Sequence, residues 1–110
     1  MPDPDTLSPL HALHRLRDVQ VSLLAQTIAG FAGTWTLERH EGYDGDLTVL
    51  LVSARRDDAT YVISRSAHGF HLGANLGDEF RPIGVFVSLG ELMSKLRMLQ
   101  PAAPTANRTA

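Results

Sequence analysis

Residues 28–39, IAGFAGTWTLER, contain the point at which the periodicity of the chain changes, and this change decides the fold. Before Gly30, apolar residues recur every three or four positions, which is the spacing of one side of a helix. After Gly33 they recur at every second position, so that Trp35 and Leu37 share one face of an extended segment. We therefore expect a helix to end near Gly30 and a half-buried strand to begin soon afterwards.

Towards the amino terminus, the helical spacing continues back to Ser8. A serine hydroxyl is a good acceptor for the free amides of a first turn, and Pro9 follows at a position where a missing N–H does no harm. The sequence predicts one long helix from Ser8 to about Gly30, preceded by a flexible terminus over residues 1–7.

Towards the carboxyl terminus, short apolar segments alternate with clusters of turn-forming residues. The predicted strands cover residues 34–40, 47–54, 59–65, 70–72 and 85–87, while glycine-rich residues 73–84 are predicted to form a loop or an irregular sheet edge. Ser88 and Glu91 then form a capping box for a last helix, which Pro101 ends.

The expected fold is therefore α+β: an N-terminal long helix, an antiparallel meander sheet of four to five strands, and a C-terminal short helix packed on the sheet. A single domain is expected over residues 8–100, because a chain of 110 residues is long enough for one core. Residues 101–110 contain no large apolar side chain and are predicted to be a disordered tail.

Composition excludes several function classes. The net charge is −2, and the ten basic residues are scattered, so neither a nucleic-acid platform nor a polybasic membrane patch is expected. The longest strongly apolar run, residues 47–52, is far shorter than the roughly 20 residues of a membrane span. The chain contains no cysteine, which excludes disulfides and thiolate chemistry. No secretory signal pattern is present at the first residues, so a cytoplasmic location is expected.

Four histidines form two pairs with the same spacing and are candidate metal ligands. His11 and His14 lie three apart in the predicted helix and would share one of its faces. His68 and His71 lie at a predicted turn and strand, where residues three apart converge only if the turn folds them together. The alternative is that these side chains are ordinary solvated residues. No resident cofactor is predicted.

Two strand arginines are candidate anion ligands. Arg39 and Arg65 fall within predicted strands, where a guanidinium can present two parallel N–H donors to a carboxylate or phosphate. With His71 they form the candidate ligand-binding set. The alternative for Arg39 is that it reaches water at the strand end or pairs with a nearby acidic side chain.

The function is predicted from the absence of catalytic motifs and from one apolar surface on the predicted first helix. The sequence contains no nucleophile elbow, phosphate loop, dinucleotide fingerprint or zinc-protease helix, so an enzyme is not expected. Leu16, Val19 and Leu23 give the first helix more apolar circumference than one small sheet covers, and they are a candidate interaction surface.

The expected function is a non-enzymatic protein-interaction domain, adaptor- or chaperone-like, that binds a protein partner or a second copy of itself. The alternative is a domain that binds a small ligand, an anion or a metal through one of the two histidine pairs together with Arg39.

Overall fold

The computed structural model describes residues 15–42, 45–55 and 57–100, and its order of elements confirms the α+β class. The two helices are α1, Asp18–Ala29, and α2, Leu89–Leu99. The strands between them are β1, Trp35–Glu41; β2, Leu47–Ser53; β3, Thr60–Ser66; β4, Gly69–Leu76; and β5, Glu79–Phe86. The helical prediction for residues 8–14 and both predicted flexible termini lie outside the described residues. The helical prediction for residues 15–17 was wrong, because Arg17 has an extended backbone and α1 begins only at Asp18. Over the described ranges, neither helix has the length and apolar content that crossing a membrane requires.

The five strands form one antiparallel meander, in which each strand pairs with the next along the chain. Of the two alternatives predicted for residues 73–84, the loop was wrong and the irregular sheet edge is observed. This stretch contains the end of β4, a tight turn at Gly77 and Asp78, and most of β5, an outermost strand with a register shift. Gly77 has a φ of 64°, the left-handed value that a two-residue hairpin turn favours.

The glycines and the proline of this region are compatible with strands for positional reasons. Pro82 lies on β5, an outermost strand, where a missing N–H is tolerated. The pairing of β4 with β5 shifts register between Leu72 and Gly73, because β5 contains one extra residue, Ile83. This β-bulge brings Val85 to the same face as Pro82, although the two positions differ by an odd number.

The core lies between the two helices and one face of the sheet. α1 contributes Val21, Leu24 and Ile28, and α2 contributes Leu89, Leu92 and Leu96. The sheet contributes Leu47, Val49, Leu51, Tyr61, Ile63, Phe70, Leu72 and Ala74. The predicted cap at Ser88 is observed at the start of α2, since the Glu91 backbone N–H donates to Ser88 Oγ over 3.2 Å. The Glu91 carboxylate accepts from the Ser88 hydroxyl over 3.4 Å, so the reciprocal half of the predicted capping box is not seen. The predicted packing of the last helix on the sheet is confirmed as well.

No described element covers the other side of the sheet, which we call the open face. Strand alternation and the observed register define its members. They are Thr36, Glu38 and His40 on β1; Thr48, Leu50 and Val52 on β2; Thr60, Val62, Ser64 and Ser66 on β3; His71, Gly73 and Asn75 on β4; and Phe80, Pro82 and Val85 on β5.

Candidate functional site

The open face contains a concavity of about 810 Å³ near the end of the sheet where β2 begins and β3 ends. This volume lies in the range of roughly 300–1,000 Å³ that is typical of sites for small molecules. One side of the concavity is apolar and the other is polar. The apolar side is formed by Val62, Phe80, Pro82 and Val85. The polar side includes Thr48, Ser64, Ser66 and His71 together with two charged residues, Asp46 and Arg65.

The apolar side is built on a glycine. Phe80 lies across Gly73 of the neighbouring strand, so that a Cβ atom at position 73 would collide with the aromatic ring. The ring fills the space of the missing side chain, an arrangement known to support glycines in sheets. Phe80 nevertheless remains 54% exposed. The concavity therefore has a preformed aromatic wall that faces water.

The polar side is organised by Ser66. A hydrogen bond of 2.6 Å joins Ser66 Oγ to His71 Nε2, and the same oxygen accepts the His68 backbone N–H over 3.1 Å. Ser66 thus holds both the imidazole of His71 and the turn between β3 and β4. The pair presents groups that can donate to or accept from a bound molecule.

Of the two candidate arginines, Arg65 lines the concavity together with His71 and Arg39 does not, and the contacts of both guanidinium groups lie on the helix-covered side. Arg39 lies on the helix-covered side, where its Nη2 donates to Asp18 Oδ1 over 3.1 Å at the start of α1. The Arg65 guanidinium carbon lies 5.0 Å from the centre of the Phe70 ring, a cation–π contact. Because Phe70 is a core residue directly opposite Arg65 in the register, Arg65 also extends on the helix-covered side.

The pair His68 and His71 belongs to no group of three metal-ligating side chains among the described residues. Within residues 15–42, 45–55 and 57–100, no group of three or more His, Asp or Glu side chains is arranged to hold a metal ion. His68 is exposed in the turn, whereas His71 is half-buried on the open face. His11 and His14 lie outside the described residues.

Of the three residues of the predicted interaction surface on the first helix, one is buried and two are exposed. Leu16 is only 1% exposed and belongs to the core, so it is not part of a free surface. The reason is that α1 begins at Asp18, and Leu16 therefore does not follow the helical phase that the prediction assumed. Val19 and Leu23 are exposed on α1, as expected.

Burial raises the pKa of the Tyr61 phenol, and the negative charge of Asp58 raises it further. The neutral hydroxyl donates to Gln100 Oε1 over 3.2 Å, which ties the end of α2 to β3. Tyr61 belongs to the core on the helix-covered side, so this group supports the fold and does not line the concavity.

Sequence reasoning missed the open face because it left residues 73–84 as a loop or an irregular edge and did not assign Phe80 and Pro82 to a face of the sheet. One signal was available. β2 reads LTVLLVS, with apolar residues at both odd and even positions, and a strand of that kind usually has both faces covered.

Comparison with known proteins adds no identification, since no family model, no curated protein and no solved structure matches the chain.

Proposed function

We propose that this chain is a non-enzymatic protein-interaction domain, adaptor- or chaperone-like, and that it self-associates. The observation that carries the proposal is the set of apolar residues on the uncovered open face, since apolar residues of a sheet are normally buried between two layers. These residues are Leu50, Val52, Val62, Phe80, Pro82 and Val85. Exposed apolar side chains elsewhere add support, among them Val87 and Met98. Contiguous apolar surface of this kind marks interaction sites in soluble proteins.

Self-association is tested by light scattering on the full chain over a dilution series. We expect the mass of two chains at high micromolar concentration, against 12.0 kDa for one chain. We also expect the mass to fall towards that of one chain on dilution, because association follows mass action. A mass of one chain at every concentration would contradict self-association.

A small-ligand function is the second candidate, and the hydrogen-bonded pair of Ser66 and His71 at the concavity favours it. Titrations with Zn²⁺ and with inorganic phosphate, followed through the histidine ring resonances by NMR, test this candidate. If it holds, His71 shifts saturably in the wild type, and the response is lost in His71→Gln but kept in His40→Gln. His40 is the matched control because it is exposed on β1, outside the concavity. Without a saturable shift at His71, the interaction function stands alone.

A further inference from the structure

We infer that two copies of this chain bind face to face, across a two-fold axis, through the open faces of their sheets. The inference rests on the proposed interaction function and names both its partner and its surface. In the pair, the two sheets would stack as the inner layers of a sandwich, with the helices of each copy outside. Each open face would then receive the second layer that it lacks in one chain.

The absence of charged side chains among the open-face residues of β2 to β5 points to a second copy. None of the open-face residues of β2 to β5 is Asp, Glu, Lys or Arg, although charged residues make up 20% of the chain. A sheet face that stays in water is normally polar, whereas the centre of a protein interface is depleted in charge. In a two-fold contact the same surface meets itself, so a charge near the axis would face an identical charge. The open-face residues of β2 to β5 avoid this repulsion, since the acidic residues Glu38 and Asp46 lie on β1 and just before β2.

The acidic member of the open face lies at its border, whereas the uncharged polar residues Thr48, Thr60, Ser64, Ser66, His71 and Asn75 lie on the inner strands β2 to β4. Glu38 and His40 lie on the outer strand β1, with 3.2 Å between Glu38 Oε1 and His40 Nε2. Leu50 and Val62 lie on the inner strands β2 and β3, and Val85 lies on β5, the opposite outer strand. A contact that is depleted in charge at its centre and contains polar groups able to form hydrogen bonds across it is usual for a specific interface.

The size of the open face matches one interface. Five strands of seven or eight residues make up the sheet. With a strand spacing of about 4.8 Å and a rise of about 3.3 Å per residue, the face measures roughly 600 Å² in projection. Accessible area exceeds projected area because side chains stand out from the sheet. The face can therefore supply about the 800 Å² per partner of a standard stable interface.

Other surfaces of the described chain are less suited to the contact. The free edge of β5 is interrupted by Pro82 and the bulge, and both features oppose strand addition. β1 carries Glu38 and Arg39 along the opposite edge. On α1, Val19 and Leu23 form one pair of exposed apolar residues a single turn apart, which is much smaller than an interface needs.

Matched valine substitutions on the two surfaces test the inference. Val85→Lys places an ammonium group on the open face, and Val19→Lys places the same group on α1. The two valines are 53% and 64% exposed, so both variants should fold, which circular dichroism checks. Sedimentation equilibrium of the full chain then measures the dissociation constant of the dimer. We expect Val85→Lys to raise it by about 100-fold, because each dimer would bury two unpaired charges, and Val19→Lys to leave it unchanged.

If Val85→Lys does not fold, Phe80→Lys replaces it, since Phe80 is equally exposed on the same face. A wild-type chain that stays monomeric would contradict the proposed self-association itself. A wild-type dimer that Val85→Lys and Phe80→Lys leave intact would contradict only the open-face arrangement. Loss of the dimer in Val19→Lys, with Val85→Lys unaffected, would instead place the contact on α1.

Discussion

Leu92→Ala is expected to lower the free energy of unfolding by about 3 kcal/mol. Leu92 is fully buried, in the middle of α2, where it packs between the helix and the sheet. Its removal forfeits the burial of the side chain and leaves a cavity, and the surrounding core closes only part of that space. Because α2 is held by three buried leucines, the loss of the central one also weakens the docking of the whole helix.

Leu99→Ala is the matched control, since it makes the same chemical change on the same helix. Leu99 is the last residue of α2 and is 41% exposed, so we expect a loss below about 1 kcal/mol. Both variants are compared with the wild type by chemical denaturation at a single protein concentration, because self-association shifts the apparent stability. Equal losses in the two variants would contradict the assigned role of Leu92.

Gly69→Ala is expected to cost about 3 kcal/mol, for two reasons that act together. Gly69 has a φ of 131°, which L-amino acids with side chains rarely adopt. A Cβ atom at this position would also collide with the backbone carbonyl of Phe86 on β5. That carbonyl belongs to the neighbouring strand, so it cannot move away without disturbing the pairing of β4 with β5.

Gly77→Ala separates the two causes. Gly77 also has a positive φ, of 64°, but a Cβ atom there would meet nothing within 4 Å. We expect a cost of about 1 kcal/mol from backbone strain alone. The difference between the two alanine variants in denaturation measurements then reports the close approach to Phe86. If both variants lose the same stability, the backbone contact contributes nothing.

The features that could be predicted are those that depend on neighbours along the chain. The end of the first helix near Gly30 and the cap at Ser88 follow from a few adjacent residues, and both are observed. β2 and β3 follow from local apolar spacing and are observed close to their predicted limits. Leu16 shows the limit of this reasoning, because a helical phase extended past the true start of α1 assigns the wrong direction to a side chain.

The features that required the folded chain are those that depend on which elements meet. From the sequence alone, Gly73 indicates a break in the strand. The folded chain shows that the Phe80 ring lies across it. Likewise, alternation puts Arg39 and Arg65 on one face and His71 on the other only after the register is known.

Local spacing thus established the class of the fold, because the periods of helices and strands are set by the backbone itself. The tertiary structure alone decided which face of the sheet the helices cover and which apolar residues stay in water. The physical reason is that the two faces of a strand are distinguished by what packs on them. Val62 and Ile63 are adjacent aliphatic residues of β3, yet Ile63 is buried under the helices whereas Val62 lies on the open face.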